Sequence, residues 1–90
     1  MVKDLEHFKN FVRQDYAHLR HFFENAKNRK ELEIYNDLYK SVSQKWLRTF
    51  ELLSETLSFY DNMRGNDFID EVDETLEEIL NKSMKQMYRL

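Results

Sequence analysis

The chain has 90 residues, 41% hydrophobic and 14% aromatic, so it forms one domain with enough apolar side chains to bury a core. It has no cysteine, no proline and one glycine, which excludes disulfides, thiolate metal sites and thiol catalysis and disfavours a turn-rich β fold. The net charge is −3, and the acidity is local: residues 1–64 carry eleven bases and ten acids, whereas residues 65–90 carry three bases and seven acids.

The first predicted helix covers residues 4–25. Asp4 stands at its start, where a short polar side chain can accept hydrogen bonds from free backbone N–H groups. Apolar side chains recur at spacings of three and four and form a stripe about 100° wide, which is typical of a helix that lies on a core. The stripe consists of Leu5, Phe8, Val12, Tyr16, Leu19 and Phe23, widened by Phe11 and Phe22.

The second predicted helix covers residues 29–64 and would be about 54 Å long. Asn28, with Glu31 three residues later, has the spacing of a capping box and predicts the start. The apolar stripe crosses Ser41–Ser43 without losing phase, which favours one continuous helix over a helix kinked there. Gly65 is predicted to end the helix in a left-handed conformation. The main stripe consists of Leu32, Tyr35, Tyr39, Val42, Trp46, Phe50, Leu53, Leu57 and Tyr60.

This second helix also carries apolar residues on the side opposite its main stripe, when about 100° is counted per residue. A helix that is apolar on two sides must be covered from both, by the flanking helices or by a second copy of the chain. We therefore predict homodimerisation and a protein-docking surface on this second stripe. The stripe consists of Ile34, Leu38, Leu52, Phe59 and Met63, and all but Ile34 are predicted to bind a partner.

The third predicted helix covers residues 67–88. Its apolar stripe consists of Ile69, Val72, Leu76, Ile79, Leu80, Met84 and Met87. Acids crowd its first half and bases its last turns, which matches the helix macrodipole at both ends. Asp70, Asp73 and Glu77 form an acidic flank beside the apolar stripe, and we predict that this flank also binds a protein partner.

Together these patterns predict an all-α fold: a three-helix antiparallel bundle with a long central helix, completed by homodimerisation. The helices follow one another with short connections, and no internal repeat or linker divides the chain. The whole chain is therefore one helical domain.

The first helix carries a basic flank beside its apolar stripe, made of Lys9, Arg13, Arg20 and Lys27. This flank is predicted to face the acidic flank of the third helix, within one chain or across a dimer. A phosphate track for RNA or DNA is the functional alternative. Because exposed aromatics do not alternate with these bases, and because Glu6 and Glu24 lie nearby, we do not expect nucleic-acid binding.

No residue pattern predicts a cofactor, a metal site or catalysis. His7, His18 and His21 lie on the side of the first helix opposite its apolar stripe and are interpreted as surface residues. The chain shows no nucleophile motif and no glycine-rich phosphate loop. The first ten residues mix acids and bases, unlike a secretory signal, and no apolar run approaches a membrane span. We expect a cytoplasmic protein that does not associate with membranes.

The sequence therefore predicts a small, non-enzymatic protein–protein interaction module, an adaptor, regulator or inhibitor of bacterial mobile-element or phage type. One alternative is a regulator of nucleic acid or of the replication machinery that acts through the basic flank. Another is an immunity protein that neutralises a toxin or bacteriocin, which fits the size and the helical fold.

Overall fold

Three helices make up the computed structural model, which describes residues 3–88. They are α1 (Leu5–Asn25), α2 (Arg29–Ser54) and α3 (Phe59–Tyr88), and residues 3–88 contain no strand. Each helix packs against the other two around one core. The predicted all-α fold with three helices is confirmed.

The N-termini of α1 and α2 are capped as predicted. The carboxylate of Asp4 accepts a hydrogen bond from the backbone N–H of His7 at 2.7 Å. The Asn28 side chain accepts one from the backbone N–H of Glu31 at 2.9 Å. Both caps satisfy donors that a helix start leaves without a partner.

The predicted boundary between the second and third helices is wrong. The prediction placed it between the helices 29–64 and 67–88, but α2 ends at Ser54 and α3 begins at Phe59. With 26 and 30 residues, α2 and α3 are about 39 and 45 Å long, so the predicted central helix of about 54 Å does not form. Within its real bounds α2 is continuous across Ser41–Ser43.

Polar side chains around residues 55–58 end one helix and start the next. The backbone N–H of Thr56 donates to the carbonyl of Leu53 at 3.0 Å, a tight i to i−3 turn. The Ser58 hydroxyl accepts from the backbone N–H of Asp61 at 3.2 Å, in the manner of an N-cap. A capping signal therefore stands inside the segment that the apolar stripe assigned to one helix.

Asn62 closes the turn from the α3 side. Its amide donates to the backbone carbonyls of Ser54, Leu57 and Ser58 at 3.1, 3.3 and 3.1 Å. The Ser54 carbonyl belongs to the last turn of α2, where carbonyls lack partners within the helix. The side chain thus compensates for the early end of α2.

Gly65 lies inside α3 and does not have the predicted left-handed conformation. It is buried, and a Cβ placed on it would overlap the ring of Phe50 and lie 3.2 Å from Leu5. The absence of a side chain therefore lets α2 approach α3 closely. The predicted role of Gly65 as a helix terminator is wrong, and its role is packing.

The core is aromatic-rich and draws on all three helices. The Phe8 and Phe50 rings lie 5.2 Å apart, the Phe23 ring meets Tyr39 edge-on at 6.1 Å, and Trp46 is fully buried between α1 and α2. The buried apolar residues are Leu5, Phe8, Val12, Leu19, Phe23, Leu32, Tyr39, Trp46, Phe50, Leu53, Ile69, Val72 and Leu76.

The carboxylate of Asp15 accepts a hydrogen bond from the buried side chain of Trp46. The indole N–H of Trp46 donates to Asp15 at 2.9 Å, and Lys45 lies 3.4 Å from the same oxygen. A buried indole N–H without an acceptor would cost free energy, so Asp15 allows Trp46 to be fully buried. This role of Asp15 was not predicted, although its position indicates it. Asp15 lies four residues after Phe11 and four before Leu19, so it stands within an apolar face of the helix.

Candidate partner-binding surface

The four apolar residues predicted to bind a partner are all exposed. The exposed fractions are 42% for Leu38, 72% for Leu52, 81% for Phe59 and 50% for Met63. The shifted helix boundary places the first two on α2 and the last two at the start of α3, so the stripe does not lie on one helix. Leu52, Phe59 and Met63 remain near each other in the chain on either side of the turn, and we name these three the turn patch.

A groove runs between α2 and α3. A cavity of about 540 Å³ occupies its wide part and one of about 80 Å³ its narrow part, and both are lined by Asn36 and Leu80. From Arg29 to Gln44 the groove follows fifteen residue steps of α2, or about 22 Å. Its lining includes Leu32, Tyr39, Lys40, Gln44, Asp73, Glu77, Asn81 and Met84. We name it the α2–α3 groove.

Asp73 stands on the wall of the α2–α3 groove and is held by hydroxyl groups of α2. The Tyr39 hydroxyl donates to its carboxylate at 3.0 Å and the Ser43 hydroxyl at 3.5 Å. Burial is the main cause that raises the pKa of Asp73, and the charges of Glu77 and Asp70 act in the same direction, while the two hydroxyl donors lower it. The net effect is a raised pKa.

The same surroundings shift the pKa of Tyr39. Burial first, and then the negative charge of Asp73, raise the pKa of the Tyr39 hydroxyl. The phenol therefore keeps its proton at neutral pH and acts as a donor to Asp73. The pair links α2 to α3 through a half-buried carboxylate that no basic side chain neutralises among the described residues.

Replacing Asp73 with asparagine is expected to stabilise the fold at neutral pH. The folded-state pKa of Asp73 is raised, so the folded chain binds the extra proton, and this group lowers stability as the pH rises from its ordinary pKa through the folded value. Asparagine carries no charge and its carbonyl oxygen can still accept from Tyr39. Because the carboxylate is half-exposed and screened, we expect a gain of about 1 kcal/mol or less.

Thermal unfolding of Asp73→Asn and the original chain at pH 7 and pH 3 measures this effect. The gain should be present at pH 7 and vanish at pH 3, where Asp73 is protonated. Asp67→Asn serves as the control, because Asp67 is exposed on α3 and is not among the charges that shift the pKa of Asp73. A variant that is less stable than the original chain at pH 7 would contradict the argument.

The acidic flank is not neutralised within the described chain. Asp70, Asp73 and Glu77 take part in no ion pair among residues 3–88, whereas Glu6 and Glu24 of α1 pair with bases. Asp70 and Glu77 are exposed, and Glu77 lines the α2–α3 groove. The flank therefore presents uncompensated negative charge to solvent along this side of α3.

The predicted contact between the basic and acidic flanks does not form within the chain. Lys9 and Arg13 lie over the ring of Phe68, at 5.5 and 5.4 Å from its centroid. Phe68 and Glu71 therefore occupy the side of α3 nearest the basic flank, while Asp73 is turned toward α2. The relative rotation of α1 and α3 is the physical reason.

The basic flank is not a continuous cationic track. The side chain of Lys9 is only 14% exposed, and its Nζ lies 3.8 Å from Oε1 of Glu6. Arg20 pairs with Glu24 at 2.8 Å, and this hydrogen bond raises the pKa of Arg20. Lys27 is exposed in the connection between α1 and α2. The structure thus places Lys9 and Arg13 together and leaves Arg20 paired elsewhere.

The histidines occupy the exposed surface of α1. His7 lies at the first turn, and His21 lies 3.2 Å from the side-chain amide of Asn25. Within residues 3–88, no three His, Asp or Glu side chains are grouped so that they could hold a metal ion. In the same part of the chain no helix is long and apolar enough to cross a membrane.

The pairing of Tyr39 with Asp73 and the stacking of bases on Phe68 were not predicted. A signal for the first existed: Asp73 lies four residues after Ile69 and three before Leu76, so its carboxylate borders the apolar face. Phe68 stood outside the predicted stripe of the third helix.

No known protein family, curated protein or solved structure matches the chain at a significant level.

Proposed function

We propose that the chain is a non-enzymatic protein–protein interaction module, an adaptor, regulator or inhibitor. Its working surface comprises the turn patch, Leu38 and the acidic flank. Apolar side chains as exposed as Phe59 and Leu52 are typical of interfaces when they cluster. The carboxylates of the acidic flank would select the partner by charge.

The exposed apolar side chains carry this proposal, and the total accessible surface agrees with it. A monomer of 11.1 kDa typically exposes about 5,700 Å². This chain exposes 6640 Å², because its shape is elongated at 49 × 21 × 16 Å. The excess of about 1,000 Å² is comparable to the ~800 Å² that each partner buries in a standard interface.

The homodimer is part of this proposal, since a second copy could cover some of the excess surface. Sedimentation equilibrium measures the mass in solution, and a strict monomer at high concentration would remove the dimer from the proposal.

We also propose the antiparallel arrangement of neighbouring helices. Its support is that Phe8 near the start of α1 contacts Phe50 near the end of α2, whereas Phe22 stacks on Tyr35 near the opposite ends.

Affinity capture from a lysate of the native host tests the module. The original chain should retain one protein near stoichiometry, and Phe59→Glu should release it because a charge enters the turn patch. Asn66→Glu is the matched control, since it adds the same charge at an exposed position of α3. Retention of nothing except nuclease-sensitive material would contradict the proposal and favour the basic flank as a phosphate-binding site.

A further inference from the structure

We propose that the α2–α3 groove binds one amphipathic helix of a partner protein, about four turns long, with Lys or Arg along the edge that faces α3. This inference rests on the proposed function and names the chemistry of the partner. It assigns the partner to the groove, whereas the turn patch is a separate part of the surface.

The dimensions of the groove fit a helix. Its length of about 22 Å along α2 corresponds to about fifteen residues of a docked helix, or about four turns. In the narrow part the apolar side chains of Leu32, Leu80 and Met84 lie beside polar ones, and the wide part adds the ring of Tyr39 among mostly polar side chains. A fourth helix laid there would bury apolar residues at spacings of three and four, as in a four-helix bundle.

The charges on the α3 rim of the groove determine which partner helix can bind there. The α3 rim carries Asp73 and Glu77, with Asp70 beyond them, and none of these acids is paired with a base among the described residues. From Asp67 to Glu78, α3 has seven acids and no base. A second copy that presented its own α3 to this rim would be repelled, whereas a basic edge would be attracted.

The α2 rim of the groove differs from the α3 rim in charge. Lys40 and Gln44 of α2 line it across from Asp73 and Glu77. The docked helix should therefore carry neutral or acidic residues on its α2 edge and basic residues on its α3 edge. This difference between the rims fixes which way round the partner helix lies about its own axis.

Asp73 gives the groove a specific anchor in addition to general attraction. It is half-buried, and within residues 3–88 its carboxylate accepts hydrogen bonds from the hydroxyls of Tyr39 and Ser43 and from no basic side chain. A Lys or Arg from the partner would pair with this carboxylate, which makes no ion pair with a base of residues 3–88. Charge-assisted hydrogen bonds of this kind are stronger than neutral ones.

A designed peptide tests the inference directly. The probe is a fluorescein-labelled, 15-residue helix with Leu along one stripe, Lys along one edge and Glu along the other. Its binding is measured by fluorescence anisotropy at physiological salt, with far-UV circular dichroism to check that each variant is folded. The Asp73→Asn/Glu77→Gln variant should bind the probe at least about ten-fold more weakly than the original chain.

The matched control is Glu74→Gln/Glu78→Gln, which removes the same charge from exposed positions of α3 that do not line the groove. It should weaken binding by less than about three-fold. Amide shifts in ¹⁵N spectra should concentrate at Asn36, Lys40 and Asn81, which line the groove.

Three results would overturn the inference. These are equal weakening in both double variants, the absence of saturable probe binding, and self-association that only Asp73→Asn/Glu77→Gln disrupts, which would assign the groove to a second copy. Each is distinguishable from failure of the proposed function, because capture of a host protein and its loss in Phe59→Glu are measured separately.

Discussion

Replacing Trp46 with alanine is expected to lower the free energy of unfolding by about 3–5 kcal/mol. Trp46 is fully buried and is the largest of the fully buried side chains among residues 3–88, so its removal leaves a cavity in the core beside Asp15 of α1. A domain of this size has a total stability of about 5–15 kcal/mol. Urea unfolding followed by far-UV circular dichroism measures the loss, and the variant should be largely unfolded well below the midpoint of the original chain.

Substitutions of Asp15 separate the hydrogen bond from the packing. Asp15→Asn retains an acceptor for the indole N–H and should cost about 1 kcal/mol or less. Asp15→Ala removes the acceptor 2.9 Å from the indole nitrogen and should cost about 1–3 kcal/mol. A loss below about 1 kcal/mol in Trp46→Ala would contradict the central role of this side chain.

Local patterns predicted much of this fold because their physics is local. The caps at Asp4 and Asn28 depend on side chains three residues from the N–H groups they satisfy. The buried stripe of α1 depends only on helical spacing, and Leu5, Phe8 and Val12 are buried as expected. These features need no knowledge of how the helices are arranged.

The end of α2 was harder to predict because periodicity alone does not detect a short turn. The spacing of Leu53, Leu57 and Tyr60 continues the helical phase, although the chain leaves the helix between them. Ser58 with Asp61 has the spacing of a cap and was the available signal. Gly65 drew the boundary away from it, since a single glycine also suits a helix terminus.

The candidate surface was predicted in its parts but not in its arrangement. Apolar residues opposite a core stripe have no partner within one helix, so the exposure of Leu38 and Leu52 follows from spacing. The pairing of Asp73 with Tyr39 depends on how α3 is rotated against α2, which a sequence pattern does not specify. The α2–α3 groove arises from the same rotation.

Replacing Gly65 with alanine is expected to lower the free energy of unfolding by up to about 2 kcal/mol. Alanine favours a helix interior over glycine by about 1 kcal/mol, which alone would stabilise α3. The added Cβ would overlap the Phe50 ring, which already packs against Phe8, and overpacking of this kind typically costs about 1–3 kcal/mol. The aromatic contact holds Phe50 in place, so we expect the steric cost to exceed the gain in helix propensity.

A double-mutant cycle with Phe50→Leu tests this account. The smaller leucine frees the space beside residue 65, so Gly65→Ala should cost less in that background than in the original chain. Asn66→Ala is the control for helix propensity, because Asn66 is the next residue and is exposed. Chemical unfolding of all variants gives the coupling between the two positions. A Gly65→Ala chain that is more stable than the original would show that Phe50 moves aside, and the close approach of α2 to α3 would then not depend on glycine.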